Sequence, residues 1–274
     1  MVHASLLEYP TNYKEAIDWL VAIRTSGGIK ELGAAVVNLF AEQSYDDEFM
    51  ALIKEIRLKV KRYLRQSGFS DQPAVRIILK LLPDESEYPI EVGSPPTITE
   101  IEEAIECQHP SHKEEKGVPI ADKSESHKPK PILPRNISDA DVIKAISDSA
   151  DQYDKLLRKL WKSKTYEHSY DVTATWEQSC APEPQTCAKI FVGIAPMLAA
   201  GTCALRHIAL FASENDLIAD STKKVGSFLK AAGFHIGRDI NAKKTVGIFR
   251  FNMSFADNRF INNLREVSGL PMDL

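Results

Sequence analysis

Cysteine is scarce in this chain. Cys107, Cys180, Cys187 and Cys203 are the only four in 274 residues, far below the density at which small secreted domains replace a core with disulfides. Folding must therefore rest on burial, and an apolar fraction of 43% is enough for a core. An excess of charge is missing too: 34 basic against 38 acidic side chains leave a formal net charge of −4. No global field draws the molecule to nucleic acid or to an anionic membrane. The longest uncharged, largely apolar run, Ile190 to Leu205, is shorter than the roughly 20 residues that cross a bilayer. It also contains Gly193, Pro196 and Gly201, so a buried core helix is expected there and no transmembrane segment. The first eight residues have neither a charged n-region nor an apolar h-region, so no conventional cleavable leader is expected. No hydrophobic tail announces a lipid anchor.

Motifs for catalysis are absent as well. No glycine elbow presents a serine or cysteine nucleophile. Gly193-Ile-Ala-Pro-Met and Gly233-Phe-His-Ile-Gly-Arg carry glycines but lack the Gly-Lys-Ser/Thr that closes a phosphate cradle. The residues point to no enzyme and no cofactor.

What is present is helical periodicity. Asn12-Tyr-Lys-Glu15 can cap a helix carrying Ile17, Leu20, Val21 and Ile23, which Gly27-Gly28 stops. A second helix starts near Ile29 and carries Leu32, Val36, Leu39 and Phe40. The third, Asp46 to Gln66, repeats apolar residues at i, i+3, i+4, i+7 from Phe49 to Leu64, with acids at its start and bases at its end. Pro73 to Leu82 forms the fourth. From Pro83 to Pro134 the composition changes, with nine of the fifteen prolines, twelve acidic residues and almost no aromatics. Such a stretch buries too little apolar surface to offset its ordering entropy. Only Thr97 to Cys107 can form a short helix within it.

After a capping pattern at Ser138 to Asp141, Ile143, Ile146, Ala150, Tyr153, Leu157 and Leu160 alternate by three and four. This seam spans fewer than three heptads, so packing within its own domain competes with a partner helix for it. Further helices are expected over Cys187 to Phe211, Asp220 to Ala232 and Ser254 to Val267. Only Thr245 to Phe251 and Tyr170 to Thr175 look extended. The expected fold is all-α with little or no strand: a four-helix block over 1–82, a disordered linker over 83–137 with a short helix near 97–107, and a helical block over 138–274.

Four features remain as candidate sites. Cys180 and Cys187 can form a disulfide, remain buried thiols, or join Cys203 and His207 around zinc. Ile143, Ile146, Tyr153, Leu157 and Leu160 form a possible interaction face for a protein partner. Lys54, Arg57, Lys61, Arg62 and Arg65 concentrate positive charge on the third helix, as a solvated face or as a patch for nucleic acid or acidic glycans. Missing aromatic interleaving makes nucleic acid the poorer fit. Asn136-Ile-Ser138 and Asn252-Met-Ser254 are glycosylation sequons of low specificity.

The string Tyr9-Pro-Thr-Asn-Tyr-Lys-Glu-Ala-Ile-Asp-Trp-Leu20, with the glycine pair and apolar helix after it, resembles the opening of babesial (piroplasm) variant erythrocyte surface antigens. Ala188-Lys-Ile-Phe-Val-Gly-Ile-Ala-Pro-Met-Leu198 and Phe228-Leu-Lys-Ala-Ala-Gly-Phe234 look like segments of related piroplasm multigene products, a weaker likeness. The resemblance implies a non-enzymatic antigen on infected red cells, exported to the erythrocyte surface, with roles in adhesion and immune evasion. The sequence departs from that family in lacking its cysteine-rich region, extended glycine run and transmembrane helix. The alternative is a soluble cytoplasmic adaptor that docks a partner through the seam over 143–160.

Overall fold

The computed structural model describes residues 2–41, 47–66, 69–70, 72–82, 139–160, 166–214 and 218–236. Among these the fold is all-α. The helices are α1 (Tyr13–Thr25), α2 (Ile29–Ala41), α3 (Asp47–Leu64), α4 (Pro73–Leu81), α5 (Asp139–Leu160), α6 (Pro184–Glu214) and α7 (Ile218–Ala231), with one π-helical turn at Trp176–Cys180. The only described β pairing is an isolated parallel bridge between His3 and Tyr170. The expected linker over 83–137 with its helix near 97–107, the helix over Ser254 to Val267, the extended run over Thr245 to Phe251 and both sequon asparagines lie outside the described residues.

Local chemistry explains the helix limits. The Asn12 side chain accepts from the Glu15 amide (3.0 Å), and the Glu15 carboxylate reaches back to Thr11, taking its amide at 2.7 Å and its hydroxyl at 2.8 Å. At the other end of α1, Gly27 at φ +83° allows a Schellman closure: Gly28 donates to the Ile23 carbonyl and Gly27 to that of Arg24. Gly233 at φ +95° ends α7 the same way, with Phe234 donating to Leu229 and Gly233 to Lys230.

The blocks on either side of residues 83–137 share one core. Helix α6 packs against α1, α2, α3, α4 and α7, while α5 lies along α1 and α2. A single apolar cluster runs from Leu6 through Tyr63 and Tyr153 to Phe234. Close approach depends on glycine at two crossings: a Cβ at Gly193 would come within 2.7 Å of Ile56, and one at Gly33 within 2.8 Å of Ile143. By length and composition alone Pro184–Leu205 could cross a membrane, and it is longer than the uncharged run had suggested, but 89% of its apolar window is buried among the other helices. The helix continues through Pro196, where one backbone hydrogen bond is lost. Burial on all sides offsets that loss, since Ile190 to Gly201 is buried at every position.

Candidate functional site

The segment Tyr9 to Leu20 does more than begin a helix. Tyr13, Lys14, Ala16, Ile17, Asp18, Trp19 and Leu20 are all buried, so α1 has no solvated face along this stretch except near Glu15. Two of these buried residues are charged, and burial of a charge is tolerated only when it is paired and hydrogen-bonded. Lys14 Nζ donates to Asp18 Oδ2 (2.9 Å), to the Glu167 carbonyl (2.6 Å) and to Ser169 Oγ (3.0 Å), using all three of its protons. Its ammonium also lies 4.7 Å from the centre of the Tyr166 ring. Asp18 accepts from the Ser169 amide (2.8 Å), the Ser169 hydroxyl (2.7 Å) and the Tyr166 hydroxyl (2.6 Å). One helical turn of α1 thus fixes the course of residues 166–170.

The N-terminal strap closes over this network. His3 pairs with the 169–171 backbone in both directions, at 2.8 and 2.9 Å, and stacks on Tyr170 with ring centres 4.8 Å apart. The Tyr170 hydroxyl donates to the Glu8 carbonyl, and Trp19 Nε1 donates to the Leu6 carbonyl. Hydrogen bonds from His3 and from the Ala4 amide hold the Glu8 carboxyl below its usual range.

Three segments distant in sequence meet around α1. The Lys14 amide, an N-terminal donor with no partner inside its own helix, gives its proton to the Ala232 carbonyl at the end of α7 (2.9 Å). Tyr13 stands edge-on to Phe228 at 6.5 Å, and Trp19 stacks over Phe191 of α6 at 6.5 Å. Tyr13 also runs against Gly201, where any Cβ would collide with its ring. Thr202 donates to the Leu198 carbonyl (2.8 Å), and so accepts from the hydroxyls of Tyr13 (3.0 Å) and Tyr153 (2.7 Å). Burial pushes both of these phenols well above their usual range, and they stay neutral donors. The strings Tyr9 to Leu20, Ala188 to Leu198 and Phe228 to Phe234 are therefore contact partners of one another.

A second locked feature adjoins this core. Cys180 and Cys187 form a disulfide across a seven-residue separation, joining the π-turn to the first turns of α6. Trp176, at the head of that π-turn, packs its ring where Gly28 has no side chain and donates its amide to Ser26 Oγ (3.0 Å). With both sulfurs bonded to each other, the zinc arrangement with Cys203 and His207 loses two of its ligands. Cys203 is half-buried beside the two phenols, and His207 Nδ1 meets Gln72 Oε1 at 3.1 Å. Among the described residues no three His, Cys, Asp or Glu side chains converge on a metal position.

The structure corrects two of the expected faces. In the seam, Ile146, Tyr153 and Leu157 are at most 1% exposed and Ile143 is half-buried against Gly33, so the stripe packs on α1 and α2 of the same chain rather than awaiting a partner. The side chain of Leu160 lies outside the described residues. Arg24 locks the helix in place by bridging Asp151 (2.5 Å) and Asp154 (2.8 Å). In the basic patch Lys61 is buried and donates to the Leu82 carbonyl (2.6 Å). Arg57 is half-buried, with desolvation drawing its guanidinium below the usual arginine range, and so is Lys54. Arg62 and Arg65 are the two that reach solvent. Comparison with protein-family models, curated proteins and solved structures gives no match to this chain.

Sequence reasoning missed the Lys14–Asp18 pair and its loop partners. Their signal was available, because Lys14 and Asp18 stand one turn apart on the stripe that also holds Ile17 and Val21. A lysine and an aspartate at that spacing on an apolar face mark a buried ion pair, whereas on the opposite face they would mark solvent.

Proposed function

We propose that this chain is a non-enzymatic antigen or host-interaction protein related to the piroplasm variant erythrocyte surface antigens, acting in adhesion of infected red cells or in immune evasion. The observation that carries this reading is the mutual contact of the three resembling segments, through Lys14 with Ala232, Tyr13 with Phe228 and Trp19 with Phe191. Segments that resemble one family and also build one another's surroundings fit descent of a common core better than three chance likenesses. The Cys180–Cys187 disulfide supports the same reading, since such bonds persist in oxidising compartments and are rare in the cytosol.

Antibodies raised against the folded chain and applied to intact infected red cells test the proposal. Surface labelling is the expected result, and labelling confined to the parasite interior after permeabilisation sinks it. In the alternative adaptor reading a partner would have to dock on another surface than the seam over 143–160, which packs on α1 and α2.

A further inference from the structure

The helices of the first block, 1–82, find most of their packing outside it. Among the described residues only α3 and α4 pack substantially against each other within that block. All four of its helices pack on α6, and α1 and α2 pack on α5 as well. The dependence runs both ways, because the substantial helix contacts of α5 are with α1 and α2. It meets α6 of its own block through Tyr153, whose hydroxyl lies 2.7 Å from Thr202 Oγ1. Both close glycine crossings run between the blocks, Gly33 on Ile143 and Gly193 on Ile56. So do the Arg24 bridges to Asp151 and Asp154, and the hydrogen bond that the Tyr63 hydroxyl donates to the Ala231 carbonyl (3.2 Å). The Cys180–Cys187 disulfide, by contrast, lies wholly within the second block.

We propose that the second block binds the first as a receptor binds its ligand, and that the protein persists as a two-chain complex when its backbone is cut between Leu82 and Asp139. The surface they share is apolar and continuous with the core. That is the character of an obligate interface, a domain interior divided in two. Shape fixes the occupant. On α6 the missing side chains of Gly193 and Gly201 admit Ile56 and the Tyr13 ring, and at interior packing density another helix fits only with the same bulk at the same places. Charge fixes its register, since Arg24 of α1 has to meet two carboxylates one turn apart on α5. Each of these contacts is non-covalent, so none depends on the peptide bonds between the blocks.

A recognition sequence for a site-specific protease, inserted after Gly117 of the full chain, allows the folded protein to be cut and tests the inference. The two pieces are expected to elute together at the mass of the uncut chain, with an unchanged far-UV circular dichroism spectrum. Cutting makes unfolding a dissociation, so the Tm of the cut protein should fall by about 5–10 °C on hundredfold dilution while that of the uncut chain stays fixed. The same dilution series gives a dissociation constant for the two pieces. Arg24→Ala, whose partners lie across the cut, should raise that constant about threefold to tenfold. Lys144→Ala removes an exposed pair with Asp148 inside the second block and should leave it within about twofold. Pieces that elute apart, a Tm that ignores dilution after cutting, or equal losses from the two substitutions would overturn the inference.

Discussion

Asp18→Ala is the substitution that most directly probes the buried network. In the folded chain Asp18 accepts four hydrogen bonds, from Lys14, from Tyr166 and twice from Ser169, at 2.6–2.9 Å. Lys14 is only 6% exposed, and removing the Asp18 carboxylate leaves its ammonium with two neutral acceptors, the Glu167 carbonyl and the Ser169 hydroxyl. Breaking a buried ion pair from one side costs about 3–5 kcal/mol, chiefly because the remaining charge is uncompensated. The Ser169 amide loses its acceptor in the same step, which adds about 1–3 kcal/mol where water cannot reach it. Against a total stability of about 5–15 kcal/mol, the variant should sit near the edge of folding. Urea unfolding followed by far-UV circular dichroism gives the loss, with an unchanged slope showing that the unfolded state is the same. The double variant Lys14→Met/Asp18→Leu removes both charges and should recover at least about half of the loss. A loss under about 1 kcal/mol for Asp18→Ala, or a double variant no more stable than the single one, would refute the claim that this pair is held in a low-dielectric interior.

Gly201→Ala pushes a methyl group into the Tyr13 ring, which Tyr153 and Phe228 also confine, and should cost about 1–3 kcal/mol in a thermal melt; a neutral result would mean the ring can move aside. Replacing Cys180 and Cys187 by serine reopens a short loop and should cost about 2.5 kcal/mol by loop-closure entropy. Adding a reductant to the unmodified chain should lower its Tm by a similar amount and leave the variant's unchanged. Burial holds the His207 imidazole below its ordinary value. As pH falls through about 6.5 the unfolded chain therefore takes up its proton first. Stability from this group is full above that pH and declines on acidification until the folded chain protonates too. His207→Gln should flatten the pH dependence of the Tm in that window, and an unaltered slope would place the titration elsewhere.

Much of the helical fold was legible in the residues because its signals are local. The Asn12 cap and the Gly27 closure bound α1 as expected. The apolar repeat, with acids before and bases after it, placed α3 within about two residues of its observed ends. The first turn of α6 was missed: Pro184 reads as a loop residue in sequence, yet it opens the helix three residues before Cys187. What lay beyond local reading was assembly. Periodicity shows that Ile146, Tyr153 and Leu157 want cover, but it does not say that the cover is α1 and α2 of the same chain, more than a hundred residues earlier. The basic patch misled for a related reason, since position on a helix gives the side Lys61 faces but not the neighbour standing there. The Leu82 carbonyl made that side an interior.

The interleaving of the two blocks has a consequence for how the chain is made. Helices α1 to α4 leave the ribosome first, but their apolar stripes are covered by α5 and α6, whose last residue is Glu214. At about 5–20 residues per second, the roughly 130 residues that separate α4 from the end of α6 take on the order of 10 seconds to synthesise. Throughout that interval the nascent N-terminal half presents uncovered apolar surface and must be shielded by other proteins. A chain that stops before α6 never leaves this condition, so a premature stop yields an aggregating or degraded fragment instead of a stable half-protein.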